Sequence, residues 1–266
     1  MSADGQGIAR CAVIGLGEAG GRYAAALVTD GYTVAGYDPA PVSTPEGVHR
    51  VATAAEAATD AEIILVLTAA KASRPVAESC LHALTPGVCY ADFTSSSPAA
   101  MRDVGKLVEQ AEAVFCDVAI LGPVPLTGTK TPLMTAGRGA TQIADLARGW
   151  GAPVEVVDGP PGSAMEHKLL RSVLMKGLAA IVGEAVNAGA AAGYEDWIRD
   201  QIADQLAGDG HAVIDRFLTS TRLHAERRAQ EMRDTAQYLA ELRVPAEMTR
   251  ATESALRRLA TEPKSA

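Results

Sequence analysis

The stretch from Cys11 to Thr29 constrains this chain more than any other. An apolar run, residues 11–14, breaks into Gly15-Leu16-Gly17-Glu18-Ala19-Gly20 and passes at once into a helix-forming segment, 22–29. Each glycine has its own task in such a turn. Gly15 permits the tight strand-to-helix reversal, Gly17 lets a pyrophosphate approach the backbone, and Gly20 lets the helix pack closely on the strand. The N–H groups and dipole of the new helix then favour negative charge. Gly15, Leu16, Gly17, Glu18, Ala19 and Gly20 are therefore expected to cradle the phosphates of a dinucleotide.

The acid that completes such a fingerprint is present. Residues 33–37 read as a second strand ending at Asp38, and the next basic residue is Arg50. A carboxylate at that place accepts both hydroxyls of an adenosine ribose and repels a 2′-phosphate, which favours NAD over NADP. The plainer alternative is that Asp38-Pro39 only starts a turn. Thr68, just past an apolar strand at 62–67, is expected on the cofactor side as well.

A chain of 266 residues can hold two domains, and its formal charge of −8 argues against nucleic acid or an anionic membrane as partner. The charge is uneven: 14 of the 24 basic side chains fall after residue 159, against 15 of the 32 acidic ones. The second part is thus relatively richer in cations, which suits a small, anionic substrate. Residues 1–10 are polar and glycine-rich and do not read as a signal peptide, and no apolar run is long enough to span a bilayer. The four cysteines have no metal or redox spacing and read as reduced core residues of a cytoplasmic protein.

Further strands are expected at 48–52, 88–92, 113–118, 133–136 and 154–157, with helices at 54–59, 73–83, 98–111 and 140–149 between them. Continuous apolar strands separated by helices imply an α/β fold with a parallel, doubly wound Rossmann sheet over residues 1–159. Gly159-Pro160-Pro161-Gly162 marks a junction, after which residues 160–266 carry only helical signals. Residues 163–192 form one apolar segment, about 45 Å long if helical throughout. With only about 100 residues available to cover so apolar a helix, it is expected to link the domains and to pack in a homodimer. Breaks near 208–210 and before Pro245 divide the remaining helices, and the tail after Glu262 reads as disordered.

Lys168, in the first turns of the long helix, is the best candidate for chemistry. An ordinary lysine, with a pKa of about 10.4, is a poor base at neutral pH. A helix N-terminus, nearby Arg171 and burial in a cleft would each lower it, so that it could exchange a proton with a carbonyl or alcohol. Ser172 lies one turn on, on the same face. The alternative is a solvated surface lysine. Asp92-Phe93-Thr94-Ser95-Ser96-Ser97-Pro98 closes a strand at its ligand-facing end, so the hydroxyls of Thr94 and Ser95 could touch nicotinamide or substrate; it also reads as a helix cap. Backbone N–H groups of residues 120–124, Leu121 and Gly122 among them, could bind a carboxylate, or form a simple turn. Arg227 and Arg228 read as solvated ion pairs, with one able instead to reach a substrate anion, and His167 and His211 read as packing or cap residues that could alternatively aid proton transfer. No cluster has metal-ligand spacing.

Taken in order, Gly15–Gly20, Asp92–Pro98, Asp117–Gly122 and Gly162 through Lys168 to Ser172 resemble the β-hydroxyacid dehydrogenase family, which includes 3-hydroxyisobutyrate and 6-phosphogluconate dehydrogenases. The resemblance spans essentially the whole chain. It implies that Thr94 and Ser95 touch substrate and nicotinamide, that Leu121 and Gly122 lie in a substrate motif, and that Lys168 is catalytic. Leu121 and Pro123 stand where the family has serine and glycine, and Ser172 where it has asparagine. The activity implied is an NAD(P)-dependent dehydrogenase acting on a hydroxyacid-like substrate. An imine reductase on a similar scaffold and a non-catalytic NAD(P) sensor are the alternatives.

Overall fold

Short apolar runs flanked by glycine-rich turns and helices become the strands of one eight-stranded sheet, in the order β3-β2-β1-β4-β5-β6-β7-β8. The computed structural model describes residues 9–262. The strands are β1 Arg10–Ile14, β2 Thr33–Tyr37, β3 Val48–Arg50, β4 Ile63–Val66, β5 Cys89–Asp92, β6 Val114–Ile120, β7 Leu133–Ala136 and β8 Val154–Val156. Between them run α1 Glu18–Thr29, α2 Ala54–Ala58, α3 Ser73–Cys80, α4 Pro98–Gln110, α5 Val124–Thr127 and α6 Ala140–Gly149.

β1 to β6 are parallel in a doubly wound arrangement, with β1 between β2 and β4. The sheet is not parallel throughout. β7 runs antiparallel to β6, pairing Asp117 with Ala136 and Ile120 with Leu133. The reason is the connection: residues 121–132 carry only the four-residue α5 and a 3₁₀ turn. Without a crossover helix the chain turns back on itself.

Alternation along the strands builds a core on each face. Ile14, Val66, Tyr90 and Phe115 pack on one side with α2, α3 and α4, while Val13, Leu65, Ala91 and Val118 pack on the other with α1 and α6. All four cysteines are buried and free, and burial pushes the Cys80 thiol up to about 11 and that of Cys89 to about 12.

The long helix is α7, Ser163–Ala191, followed by α8 Glu195–Leu206, α9 Gly210–Leu223, α10 Ala225–Glu241 and α11 Glu247–Thr261. The chain divides into two compact units, one ending at Arg171 and the other beginning at Ser172. The junction read at Gly159–Gly162 lies upstream of this point, because the first turns of α7 belong to the sheet unit. Ala164 and Met165 are buried in its core. In the helical unit, Gly189 lets α7 approach α8, since a Cβ there would lie 2.5 Å from the Ile198 side chain. Glu184 of α7 caps α11, accepting from the N–H groups of Met248 and Thr249 at 2.8 Å. Among the described residues no helix is long and apolar enough to cross a membrane. The tail after residue 262 lies outside the described residues.

Candidate active site

The glycine turn is built from three different constraints. Gly15 has φ +97°, and a Cβ on it would sit 2.4 Å from the Leu67 carbonyl oxygen. Gly20 packs so closely that a Cβ would fall 1.8 Å from the Gly15 carbonyl oxygen. Gly17 differs: a Cβ there would meet nothing within 4 Å. The protein's own packing therefore explains Gly15 and Gly20 but not Gly17, whose missing side chain leaves open space beside the turn. Gly17 is also the N-cap of α1, and no side chain caps that helix end. Helix N–H groups left in this way suit a phosphate.

Beside the turn lies a cleft of about 810 Å³, whose walls include Gly15, Gly17, Asp38, Thr68, Ser79 and His82. Its size and its phosphate-ready end fit a dinucleotide. The expected phosphate contacts need one correction. The Leu16 N–H donates to Asp38 Oδ2 at 2.8 Å, and the Leu16 side chain is buried, so Leu16 ties the turn to β2 instead of offering its N–H to an anion. Glu18 is exposed at the start of α1, and Ala19 is partly buried against the core.

Asp38 is held at both carboxylate oxygens. Oδ2 accepts from Leu16, and Oδ1 from the Ala40 N–H at 2.8 Å. A carboxylate has acceptor capacity for about four hydrogen bonds, so two sites remain for a ribose diol. Arg50, just past the loop that follows β2, donates to the carbonyl oxygens of Asp38 at 2.9 Å and Ala40 at 2.6 Å. Sequence reasoning treated Arg50 only as the next cation. The signal it missed was the proline-rich loop before it, which needs a donor from outside.

A second constellation lies at the C-terminal ends of β5 and β6. Lys168 Nζ donates to Ser95 Oγ at 3.1 Å, joining the first turns of α7 to the turn after β5. Thr94 does not present a group in the same way. It is buried, and its hydroxyl is paired with Ser96 Oγ at 2.7 Å, which in turn donates to the Ala70 carbonyl at 3.1 Å. The turn is stiffened by Asp92, which accepts from the Thr94 N–H at 2.8 Å and the Ser73 hydroxyl at 2.5 Å. Ser97 caps α4 as its sequence suggests.

At the end of β6 the Leu121 N–H donates to the Pro132 carbonyl at 2.9 Å, and Pro123 has no N–H. Of the backbone donors expected at 120–124, Leu121 and Pro123 thus drop out, whereas Gly122 stays in place as a candidate. Arg171 Nη1 approaches the Leu121 carbonyl at 3.4 Å. Ser172, four residues beyond Lys168 on α7, accepts from Lys176 Nζ at 3.2 Å. Elsewhere Arg227 pairs with Glu231, whereas Arg228 donates to the hydroxyls of Thr221 and Ser220 instead of forming an ion pair. His167 Nδ1 lies 2.8 Å from the Ser163 carbonyl, and the His211 N–H donates to Asp209.

What fixes α7 on the sheet is Asp117, a fully buried β6 residue whose Oδ2 accepts from Gly162 N–H at 2.9 Å and Met165 N–H at 3.2 Å. Burial pushes its carboxyl up to about 6; the Met165 and Gly162 N–H groups oppose that rise, and neighbouring Asp92 adds to it. The folded protein thus holds this proton more tightly than an unfolded chain, whose aspartates titrate at about 3.9. The stability it contributes is complete below the unfolded value and is lost as pH rises through about 6. Asp117→Asn removes that slope. In urea unfolding, the variant should gain on the wild type between pH 4 and pH 7 by on the order of 2–3 kcal/mol; parallel curves would contradict it.

Residues 10–145 match the family described as the NAD-binding domain of 6-phosphogluconate dehydrogenase, and residues 190–259 match a domain of unknown function, DUF1932. An uncharacterized 28.5 kDa protein of Methanothermus fervidus is 25% identical over 153 residues, 56% of this chain and 57% of that relative, so the match spans little more than half of its length. A conserved protein of unknown function, described as structurally similar to 3-hydroxyacid dehydrogenases, is 26% identical with a TM-score of 0.63, covering 94% of this chain and 96% of its own. The Streptomyces aurantiacus imine reductase shares the fold at 20% identity, with a TM-score of 0.78 over 94% of this chain and 93% of its own.

Proposed function

The chain belongs to the family described as the NAD-binding domain of 6-phosphogluconate dehydrogenase, and we propose that it is an NAD(P)-dependent oxidoreductase of the β-hydroxyacid dehydrogenase branch that interconverts a small hydroxyacid and its carbonyl form. The observation that carries this reading is the bond from Lys168 Nζ to Ser95 Oγ at the ligand-facing end of β5. The dinucleotide supplies the hydride chemistry. In the reducing direction the Lys168 ammonium gives a proton to the substrate oxygen as that oxygen gains negative charge. In the oxidising direction the Lys168 amine takes the hydroxyl proton. Ser95 orients Lys168 and the substrate, and the Gly122 backbone contributes to substrate binding. Thr68 lies on the cofactor side.

Asp38, with two acceptor sites left for the ribose diol, supports NAD as the preferred form. Asp38→Ala should weaken NADH binding roughly tenfold and NADPH binding far less, by removal of hydrogen bonds to a charged acceptor. Fluorescence titration with both dinucleotides measures this, and an unchanged ratio removes Asp38 from the ribose site.

A homodimer is part of the proposal: Leu170, Val173 and Leu174 of α7 are 71%, 76% and 64% exposed, more apolar surface than one helix ordinarily shows to water. Four free, buried cysteines fit a reducing cytoplasm.

Imine reduction is the second reading. Leu121 supplies no polar side chain, its N–H is already used, and Pro123 has none, so the usual grip on a carboxylate is reduced. The decisive experiment is a turnover panel of hydroxyacids, oxoacids, aldehydes and cyclic imines with both dinucleotides. Hydroxyacid or oxoacid turnover upholds the first reading and imine turnover alone the second. Tight dinucleotide binding with no turnover overturns both in favour of a sensor.

A further inference from the structure

We infer that Arg50 is a positioning residue for dinucleotide selectivity: by gathering the loop after β2 it fixes Asp38 in its diol-accepting posture and so sets NAD above NADP. The inference rests on the dinucleotide reading of the cleft.

The loop that follows β2 runs Asp38-Pro39-Ala40-Pro41-Val42-Ser43-Thr44-Pro45. Its three prolines lack N–H groups, so the loop has few donors for its own carbonyls. Arg50, at the end of edge strand β3, supplies them. Nη2 donates to the carbonyls of Asp38 and Ala40, and Nη1 to the Val42 carbonyl at 2.6 Å and Thr44 Oγ1 at 3.2 Å. Alternate carbonyls 38, 40 and 42 thus converge on one planar fork, a geometry that lysine's point charge does not reproduce. With the backbone curled in this way, the Ala40 N–H comes to Asp38 Oδ1, while Oδ2 reaches the Leu16 N–H of the glycine turn. The carboxylate is pinned from two sides at the wall of the cleft.

An arginine near the end of β2 would ordinarily be the group that receives a 2′-phosphate. Here the guanidinium is spent on the loop itself, with both terminal nitrogens engaged. It acts on selectivity only through Asp38. That sets it apart from two other roles: a purely structural residue would affect both dinucleotides equally, and a long-range cation would favour NADPH, the more negative of the two.

The test is direct binding of NADH and NADPH, by fluorescence titration, to the full chain and its Arg50→Met, Asp38→Ala and doubly substituted variants, at a temperature where each is shown to be folded. Arg50→Met should weaken NADH roughly tenfold and NADPH little, lowering the selectivity ratio by at least about fivefold, the scale of one charge-assisted hydrogen bond. In the Asp38→Ala background it should leave the ratio unchanged. Should Arg50→Met not fold, Arg50→Lys carries the same signs with a smaller effect. Equal weakening of both dinucleotides overturns the inference, as does a ratio that rises because NADPH is hurt more. A wild-type chain that binds neither dinucleotide overturns the reading of the cleft itself, a different result from a wild type that binds selectively while the Arg50 variants keep its ratio.

Discussion

Lys168→Ala should bind NADH as the wild type does and lose at least about a hundredfold in turnover, the usual scale of a positioned general acid or base. The separation follows from where the side chain lies. Nζ is on Ser95, at the end of β5, while the residues lining the dinucleotide-sized cleft come from the ends of β1, β2 and β4 and from α2 and α3. Removing the amine therefore leaves the phosphate turn and Asp38 untouched. Lys168→Arg sharpens the result. Arginine keeps the positive charge but does not release a proton near neutral pH, so it should rescue an anchoring role and fail to rescue an acid/base role. Full turnover in Lys168→Ala would end the proposal. Restoration by arginine would turn Lys168 into a binding residue.

The geometry behind that expectation was partly legible in the sequence. Strand and helix positions follow from apolar periodicity and glycine breaks, which act locally; β2, β7 and α6 have the bounds their residues suggest. The direction of β7 was not legible in the same way, since a strand pattern carries no orientation and the deciding fact is the missing crossover helix at 121–132. The lysine and Ser95 are brought together by a long-range contact across 73 residues. Position on a helix and at a strand end singles out each residue separately, and the resemblance to a dehydrogenase pattern is what assigns both to one site. Thr94 and Ser95 look equivalent as neighbouring hydroxyls, yet one is buried in a network with Ser96 and Ala70 and the other faces Lys168. Which hydroxyl turns outward depends on the turn's backbone, not on residue type. Arg50 and Asp117 share a different reason for being missed: both act on the backbone of another segment, and side chain-to-backbone bonds leave no residue-type signature at the receiving end.

Gly17→Ala and Gly20→Ala should fail in opposite ways, and the contrast tests the phosphate turn more sharply than either alone. A methyl on Gly20 would lie 1.8 Å from the Gly15 carbonyl oxygen and 2.8 Å from its carbon. Those are backbone atoms of the turn itself, so no side chain can rotate to make room, and α1 must separate from β1. Overpacking of this kind costs about 1–3 kcal/mol or more, and urea unfolding should show at least that loss. A methyl on Gly17 meets no protein atom within 4 Å, and the residue's φ of −62° suits alanine. Its stability should change by no more than about 1 kcal/mol, the scale of an N-cap substitution. NADH binding should nevertheless fall by at least about tenfold, because the methyl occupies the space where backbone and pyrophosphate would meet. A Gly17→Ala protein that is as stable as the wild type and binds NADH as tightly would show that no phosphate approaches this turn. A Gly20→Ala protein with undiminished stability would show that the close packing of α1 on β1 is not what the glycine is there to allow.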